Sequence, residues 1–250
     1  MLPRFICLPI LTLVLCQAVH AKFPDDPKAC KYGDAACIIK FINTLISEKG
    51  LQGDDDLNLL KLDPYTVSKM NIKQGGDSPV NIDLTFTNND IIGLSNLKFK
   101  KAKGFGKDLA KKHELLFHAP SLRLVGPYDI KGKVLVLPIS GSGKSNITLV
   151  NPDFIASFVG KPVVKDGQTY MEATNFKLNT KAERLWYYFG NLFNGDKALG
   201  DNMNAFLNEN WHAIFLECQE SVQAAFSEVF QNIITTVFSK YPYEKFFVDQ

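Results

Sequence analysis

The chain has 250 residues, of which 46% are hydrophobic and 12% aromatic, and its formal net charge is +2. This length suits a single globular domain with a sizeable apolar core. Because the charge is close to neutral and both signs are interspersed, the composition gives no electrostatic reason to expect nucleic acid as a partner.

The first residues have the order of a secretion signal. Arg4 precedes an uncharged apolar run from Phe5 to Val19, and Val19-His20-Ala21 supplies the small residues expected before a cleavage site. The run is about 15 residues long, which is shorter than the ~20 that a membrane-spanning helix needs. We therefore predict a signal peptide over residues 1–21, a single secreted domain over residues 22–250, and no stable membrane insertion.

Cysteine usage fits an oxidising compartment. Cys7 and Cys16 would leave with the signal, so Cys30, Cys37 and Cys218 remain. Cys30 and Cys37 are close enough in sequence to close a small disulfide loop, whereas Cys218 is left over. A zinc site needs clustered ligands, and we predict no metal site and no cofactor because the remaining histidines are scattered. They are His113, His118 and His212.

Two segments carry possible surface features. The stretch from Lys98 to Lys112 is rich in lysine and has few aromatic residues. We interpret it as a solvated hairpin, and a membrane or anionic-partner patch stays open as an alternative. Asn146-Ile147-Thr148 is an N-glycosylation sequon, and its use would require Asn146 to face solvent.

The spacing of apolar residues changes along the chain. From Ala36 to Lys49 they recur every three or four positions and Gly50 follows, which predicts a short N-terminal helix. Between Tyr65 and Phe193 they alternate with polar residues, which predicts a meander of antiparallel strands. The predicted strands include Val80–Phe86, Leu115–Ala119, Leu122–Leu124, Val134–Ile139, Ile147–Val150, Ile155–Val159, Tyr170–Leu178 and Leu185–Phe189. The predicted turns include Gly104–Gly106, Gly126-Pro127, Gly141-Ser142-Gly143 and Lys165-Asp166-Gly167.

The C-terminal part has a long helical pattern. From Leu199 to Lys240 apolar residues step by three and four with no proline, which predicts one uninterrupted helix of about 42 residues and roughly 60 Å. An apolar stripe of that length must be buried. The predicted fold is therefore α+β, with a strongly curved antiparallel sheet wrapped around the long C-terminal helix. Many stripe residues are phenylalanine, and periodicity alone leaves open whether their rings enclose an elongated cavity or fill a solid core.

No sequence motif indicates catalysis. Gly141-Ser142-Gly143-Lys144-Ser145 looks like part of a phosphate-binding loop, but Pro138 stands where such a loop requires glycine, and a strand follows. We interpret the segment as a hairpin turn. Cys218 lies within the helix stripe, which favours a buried inert thiol over a nucleophile. Because no set of acid, base and oxyanion-binding residues can be assembled, we do not predict an enzyme.

Several segments together resemble the insect takeout and juvenile-hormone-binding proteins. They are the pair Cys30 and Cys37, Asp63-Pro64, Tyr128-Asp129-Ile130-Lys131-Gly132-Lys133, Leu137-Pro138, Gly141 to Leu149, Leu192-Phe193-Asn194-Gly195-Asp196, Phe206-Leu207-Asn208-Glu209-Asn210-Trp211, and Tyr241-Pro242-Tyr243 through Phe246-Phe247. The combination covers essentially all of the mature chain. The resemblance implies a long helix wrapped in a curved antiparallel sheet, a lipophilic ligand in an internal tunnel, and secretion into haemolymph or a sensory lymph.

One feature departs from the pattern that the resemblance implies. Hormone-binding members of the family carry a second disulfide that ties the sheet to the long helix, whereas Cys218 has no partner cysteine in the mature chain. This departure favours the takeout branch of the family. It leaves the identity of the ligand open.

We therefore predict a monomeric, non-enzymatic carrier that binds a small lipophilic ligand, such as an isoprenoid, a fatty acid or a juvenile-hormone-like molecule, in an internal tunnel. The predicted lining residues lie on the long helix and are Phe206, Ile214, Phe215, Val222, Phe226, Phe230 and Ile234. Two alternatives stay open. One is a secreted protein-interaction or signalling factor with a solid core, marked by an exposed apolar patch. The other is a surface-active lipid binder that uses the lysine-rich hairpin.

Overall fold

A computed structural model describes residues 23–25, 27–76 and 78–249. The predicted signal peptide, residues 1–21, lies outside the described residues. In chain order the elements are β1 (Cys30–Lys31), α1 (Ala35–Lys49), β2 (Tyr65–Gln74), β3 (Val80–Ile92), β4 (Lys98–Lys103), β5 (Lys112–His118), β6 (Ser121–Val134), β7 (Leu137–Val150), β8 (Asp153–Lys165), β9 (Gln168–Lys181), β10 (Arg184–Phe189), α2 (Lys197–Glu209), α3 (Trp211–Phe238), α4 (Tyr243–Phe246) and β11 (Phe247–Val248).

The short N-terminal helix α1 is confirmed and is anchored at its first turn. The Asp34 side chain accepts a hydrogen bond from the Cys37 N–H at 3.0 Å, which caps the helix. Cys37 forms the predicted disulfide with Cys30. Cys30 belongs to β1, which pairs in parallel with β11. The start of α1 is therefore fixed beside the C-terminal strand.

Strands β2 to β10 form two antiparallel sheets. The five-stranded sheet has the order β10-β7-β6-β3-β2, and the four-stranded sheet has the order β4-β5-β8-β9. Within β3, Val80, Leu84 and Phe86 are buried while Asn81 and Thr87 are exposed. The antiparallel arrangement predicted from this alternation is confirmed, although the strands divide between two sheets instead of forming one meander.

The lysine-rich segment is a hairpin, as predicted. β4 pairs antiparallel with β5, and the lysines between Lys98 and Lys112 are exposed. The buried side chains of the hairpin include Ala102, Phe105 and Leu115. The hairpin therefore contributes apolar residues to the interior and places its charge in solvent.

Helix α3 lies between the free edges of the two sheets. Ser227 Oγ accepts a hydrogen bond from the Leu178 N–H of β9 at 3.0 Å, and Ser221 Oγ donates to the Lys73 carbonyl of β2 at 2.8 Å. Because β9 and β2 are edge strands, these side chains satisfy backbone groups that an edge otherwise leaves unpaired. The apolar stripe of α3 is thereby buried against the inner faces of both sheets.

The long C-terminal helix is confirmed, but its predicted continuity from Leu199 to Lys240 is wrong. α2 ends at Glu209 and α3 begins at Trp211. Asn210, with φ −103° and ψ 19°, interrupts the helix, and its Nδ2 donates to the Phe206 carbonyl at 2.9 Å. The apolar spacing continues across the break because both helices bury one face. With 28 residues, α3 is about 42 Å long.

The turn between β6 and β7 falls inside the strand predicted over Val134–Ile139. Val134 pairs with Leu137, and the turn residue Leu135 has a φ of 54°. The prediction is wrong here because Leu135 and Val136 carry none of the glycine, asparagine or aspartate signals that mark a two-residue turn.

The turns predicted at Gly126-Pro127 and Gly141-Ser142-Gly143 are also wrong, because both segments lie inside the long strands β6 and β7. At these positions the absence of a side chain allows another segment of the chain to approach the strand closely. A Cβ on Gly143 would lie 2.3 Å from the Gly190 carbonyl oxygen, and one on Gly126 would lie 2.7 Å from Asn89 Cγ. Both neighbours are distant in sequence, so the local pattern around these glycines predicts a turn and gives no sign of the close approach.

Candidate functional site

Among the described residues, three cavities with largely apolar linings follow one another along α3, between this helix and the two sheets. The start cavity, about 80 Å³, borders Ile214 and Phe215. The middle cavity, about 20 Å³, borders Gln223. The end cavity, about 130 Å³, borders Phe230 and Phe238.

The end cavity has an entirely apolar lining. Helix α1 contributes Phe41 and Leu45, and α3 contributes Ile234 and Val237. Cys30 also lies in the wall, so the disulfide fixes the start of α1 against this space. Such a wall offers shape and dispersion contacts to a ligand and no hydrogen bond.

A phenylalanine cluster separates the end cavity from the middle cavity. The ring of Phe117 lies 5.1 Å from that of Phe154 and 5.3 Å from that of Phe230, between centroids. Phe117 and Phe230 line the end cavity, whereas Phe154 lines the middle cavity. The three rings therefore stand between the two spaces, which remain distinct.

The middle and start cavities share walls. Val222 and Phe226 line both of them. The start cavity is apolar except for the hydroxyl of Tyr187 and the thiol of Cys218. Burial raises the pKa of Cys218 to about 11 and raises the pKa of Tyr187 well above its usual value. Both groups are therefore uncharged near neutral pH, and the cavity presents no formal charge to a ligand.

His113 is a buried histidine behind the wall of the end cavity. Its Nδ1 accepts a hydrogen bond from the Phe105 N–H at 2.9 Å, and its Nε2 donates to the Leu109 carbonyl at 2.8 Å. The ring also stacks on Phe158 at 5.0 Å between centroids. Burial lowers the pKa of His113 despite the opposing effect of the Leu109 carbonyl. The neutral imidazole thus holds Phe105 and Phe158, which line the cavity.

The structure places six of the seven predicted lining residues at these cavities. The start cavity receives Ile214, Phe215, Val222 and Phe226, of which the last two also reach the middle cavity, and the end cavity receives Phe230 and Ile234. Phe206 does not line them and lies half-buried on α2. The break at Asn210 separates Phe206 from the stripe of α3, and the neighbouring residue of α2, Leu207, lines the start cavity instead.

Several cavity residues were absent from the prediction. Phe41 and Ile42 belong to the apolar stripe of α1, so the helical spacing of that segment could have suggested them. Residues from the strands, such as Phe117 and Phe158, depend on how distant segments meet and carry no local signal. Gln223 was missed because a polar residue beside an apolar stripe usually faces solvent.

Among the described residues, no group of three or more histidine, cysteine, aspartate and glutamate side chains is placed to hold a metal ion. In the same part of the chain, no helix combines the length and apolar character needed to cross a membrane.

Comparison with known proteins identifies the family to which this chain belongs. The family described as "Haemolymph juvenile hormone binding protein (JHBP)" matches residues 10–248. The circadian clock-controlled protein daywake of Drosophila melanogaster is 31% identical over 95% of this chain and 94% of its own. Daywake of Drosophila yakuba is 30% identical over 90% of this chain and 88% of its own.

A solved structure shows the same architecture. Takeout 1 of Epiphyas postvittana aligns with a TM-score of 0.72 and 23% identity, over 86% of this chain and 96% of that protein. At this identity the similarity supports the fold alone, whereas the family match and the daywake proteins cover nearly the whole chain. The chain belongs to the insect takeout and juvenile-hormone-binding protein family.

Proposed function

We propose that this protein is a secreted, non-enzymatic carrier that holds a small lipophilic ligand in its interior. The observation that carries the proposal is the apolar lining of the start and end cavities along one face of α3. The family consists of binding proteins and suggests a carrier of lipophilic ligands. We expect an isoprenoid, a fatty acid or a juvenile-hormone-like molecule.

Burial of the ligand's apolar surface supplies the driving force, at about 25 cal/mol per Å² removed from water. Six of the predicted residues, from Ile214 to Ile234, line these cavities, which supports the proposal that they contact the ligand. A ligand long enough to occupy a continuous tunnel must displace the phenylalanine cluster, and changes of side-chain rotamer are the least costly way to do so.

The features expected of secretion accompany this proposal. The disulfide between Cys30 and Cys37 suits an oxidising compartment. Asn146 lies on β7 opposite Tyr188 of β10, and Thr148 lies opposite Trp186. Because Tyr188 is 57% and Trp186 50% exposed, this face of the five-stranded sheet is open to solvent, and we propose that Asn146 carries an N-glycan there. We expect a monomer.

The proposal is tested by native mass spectrometry of the protein secreted from insect cells, followed by organic extraction and identification of the released molecules. We expect a stoichiometric lipophile that is lost on extraction and rebinds when it is returned. A protein that is ligand-free as isolated and stays so after incubation with isoprenoids and fatty acids would overturn the carrier and favour a protein-interaction factor. Digestion with a glycosidase, with Asn146→Gln as the control, tests the glycan in the same sample.

A further inference from the structure

Gln223 interrupts a row of polar side chains through which α3 contacts β9. One turn earlier, Gln219 Nε2 donates to the Thr180 carbonyl at 3.4 Å. One turn later, Ser227 Oγ donates to the Gln223 carbonyl at 2.7 Å and accepts from Leu178 N–H. Gln219 and Ser227 therefore bond to the edge of the sheet. The side-chain Nε2 of Gln223 is buried and has no hydrogen-bond partner among the described residues.

Gln223 is one of the residues that line the middle cavity, and its Nε2 is shielded from solvent beside that cavity. Leu124, Leu178 and Phe226 are among its apolar neighbours there, and the one charged residue that the described part of the chain contributes to the lining is Arg123, which is exposed to solvent. Thr180 also lines this cavity. Its hydroxyl already donates to the Asp153 carbonyl. A donor left without a partner in such surroundings costs folding free energy, and unsatisfied buried groups in native proteins call for an explanation.

We propose that Gln223 sets ligand specificity by donating a hydrogen bond from Nε2 to a neutral oxygen of the bound lipophile. This inference rests on the proposed carrier function. The favoured ligand carries a ketone, ester or ether oxygen, because an uncharged acceptor satisfies the amide without bringing a charge into apolar surroundings. A pure hydrocarbon leaves the amide unpaired.

The position of Gln223 also orients the ligand. Val222 and Phe226 connect the middle cavity with the start cavity, whereas the phenylalanine cluster closes the opposite side. A ligand oxygen at Gln223 therefore places the adjoining apolar chain in the start cavity, beside Phe215. The remainder of a longer ligand reaches the end cavity only when Phe154 and its neighbours move.

The test compares dodecane with its mid-chain ketone, each displacing an environment-sensitive apolar dye. Because the two probes differ in their solubility in water, the informative quantity is the ratio of their affinities and how it changes with mutation. We expect Gln223→Met, which keeps the length of the side chain but removes the donor, to lower the ketone-to-alkane ratio roughly five- to tenfold. Gln219→Met is the matched control, since that amide already has a partner, and it should leave the ratio unchanged.

A second readout is the carbonyl stretching band of the isotopically labelled ketone. In the wild-type complex the band should lie at the lower frequency of a hydrogen-bonded carbonyl, and Gln223→Met should return it to its frequency in alkane solvent. An unchanged affinity ratio with an unshifted band would overturn the role of Gln223 while leaving the carrier intact. Failure of both probes to bind would overturn the carrier itself.

Discussion

The side chain of Asn208 pairs with both backbone groups of Tyr187. Its Oδ1 accepts from the Tyr187 N–H at 2.8 Å and its Nδ2 donates to the Tyr187 carbonyl at 2.8 Å. One helical turn earlier, Asn204 pairs in the same way with Phe189, at 2.8 and 2.9 Å. Since β10 is an edge strand, the two amides of α2 act as the missing neighbouring strand and close that edge.

Replacement of Asn208 by alanine should destabilise the protein. The change removes both contacts and leaves the Tyr187 backbone groups without their partner, so we expect a loss of about 2 kcal/mol in the free energy of unfolding. Urea denaturation measures this loss. Asn202→Ala on the same helix is the control, because Asn202 is exposed and should change stability by less than about 0.5 kcal/mol. Equal effects of the two substitutions would show that the pairing of α2 with β10 contributes little.

The features that the sequence predicted correctly are those governed by local spacing. Residues a few positions apart determine each of them. Examples are the apolar stripe of α1, the alternation of buried and exposed residues in β3, and the disulfide between Cys30 and Cys37. The errors have a non-local cause. Position 143 needs glycine inside a strand because Gly190 approaches it closely. The break at Asn210 leaves the apolar spacing of the helices intact.

The candidate site could be predicted only on its helical side. Periodicity identified Phe226 and Phe230 as inward-facing, since one stripe of α3 had to be buried. It could not separate a cavity from a solid core, because that depends on how rings such as Phe117 and Phe154 meet across two sheets. A buried donor such as Gln223 is recognised only when all its neighbours are known.

The buried imidazole of His113 should make stability depend on pH. The pKa of His113 in the folded protein lies below its usual value of 6.5. As pH falls below that value, the unfolded chain binds a proton that the folded protein does not. Stability is therefore complete above the unfolded pKa and is lost as the pH falls toward the folded pKa, with a slope of up to about 1.4 kcal/mol per pH unit.

Denaturant unfolding at several pH values measures the contribution of His113. His113→Gln should be less stable at pH 8 because of the Phe105 N–H and Leu109 carbonyl contacts, yet lose less stability on acidification than the wild type. His118→Gln, which removes a surface histidine in contact with Asp153, is the control for losing a histidine that is not buried. A wild-type slope in the His113 variant would exclude His113 as the source.

The thiol of Cys218 should be nearly inert in the folded protein. Burial raises its pKa from 9.0 to about 11, so the reactive thiolate is about 100-fold less populated than in an ordinary thiol at the same pH, and access is also restricted. Reaction with an aromatic disulfide reagent at pH 8 should therefore be at least about 100-fold slower in the native protein than in urea. Cys218→Ser supplies the background rate. A native rate close to the unfolded one would mean that the start cavity opens readily to water.

Replacing Phe226 by a larger residue should show whether it lines a ligand cavity or belongs to a solid core. Phe226 lines both the middle and the start cavity, so the larger ring of Phe226→Trp should fill this space and weaken the binding of an apolar dye at least about tenfold. The unfilled space should limit the loss of stability to about 1–3 kcal/mol. Leu216→Trp is the matched control, because Leu216 is 52% exposed on the same helix and should change neither dye binding nor stability appreciably. Dye titration and urea denaturation of both variants provide the measurements. If Phe226→Trp prevented folding or left dye binding unchanged, the residue would belong to a filled core and the ligand would have to bind elsewhere.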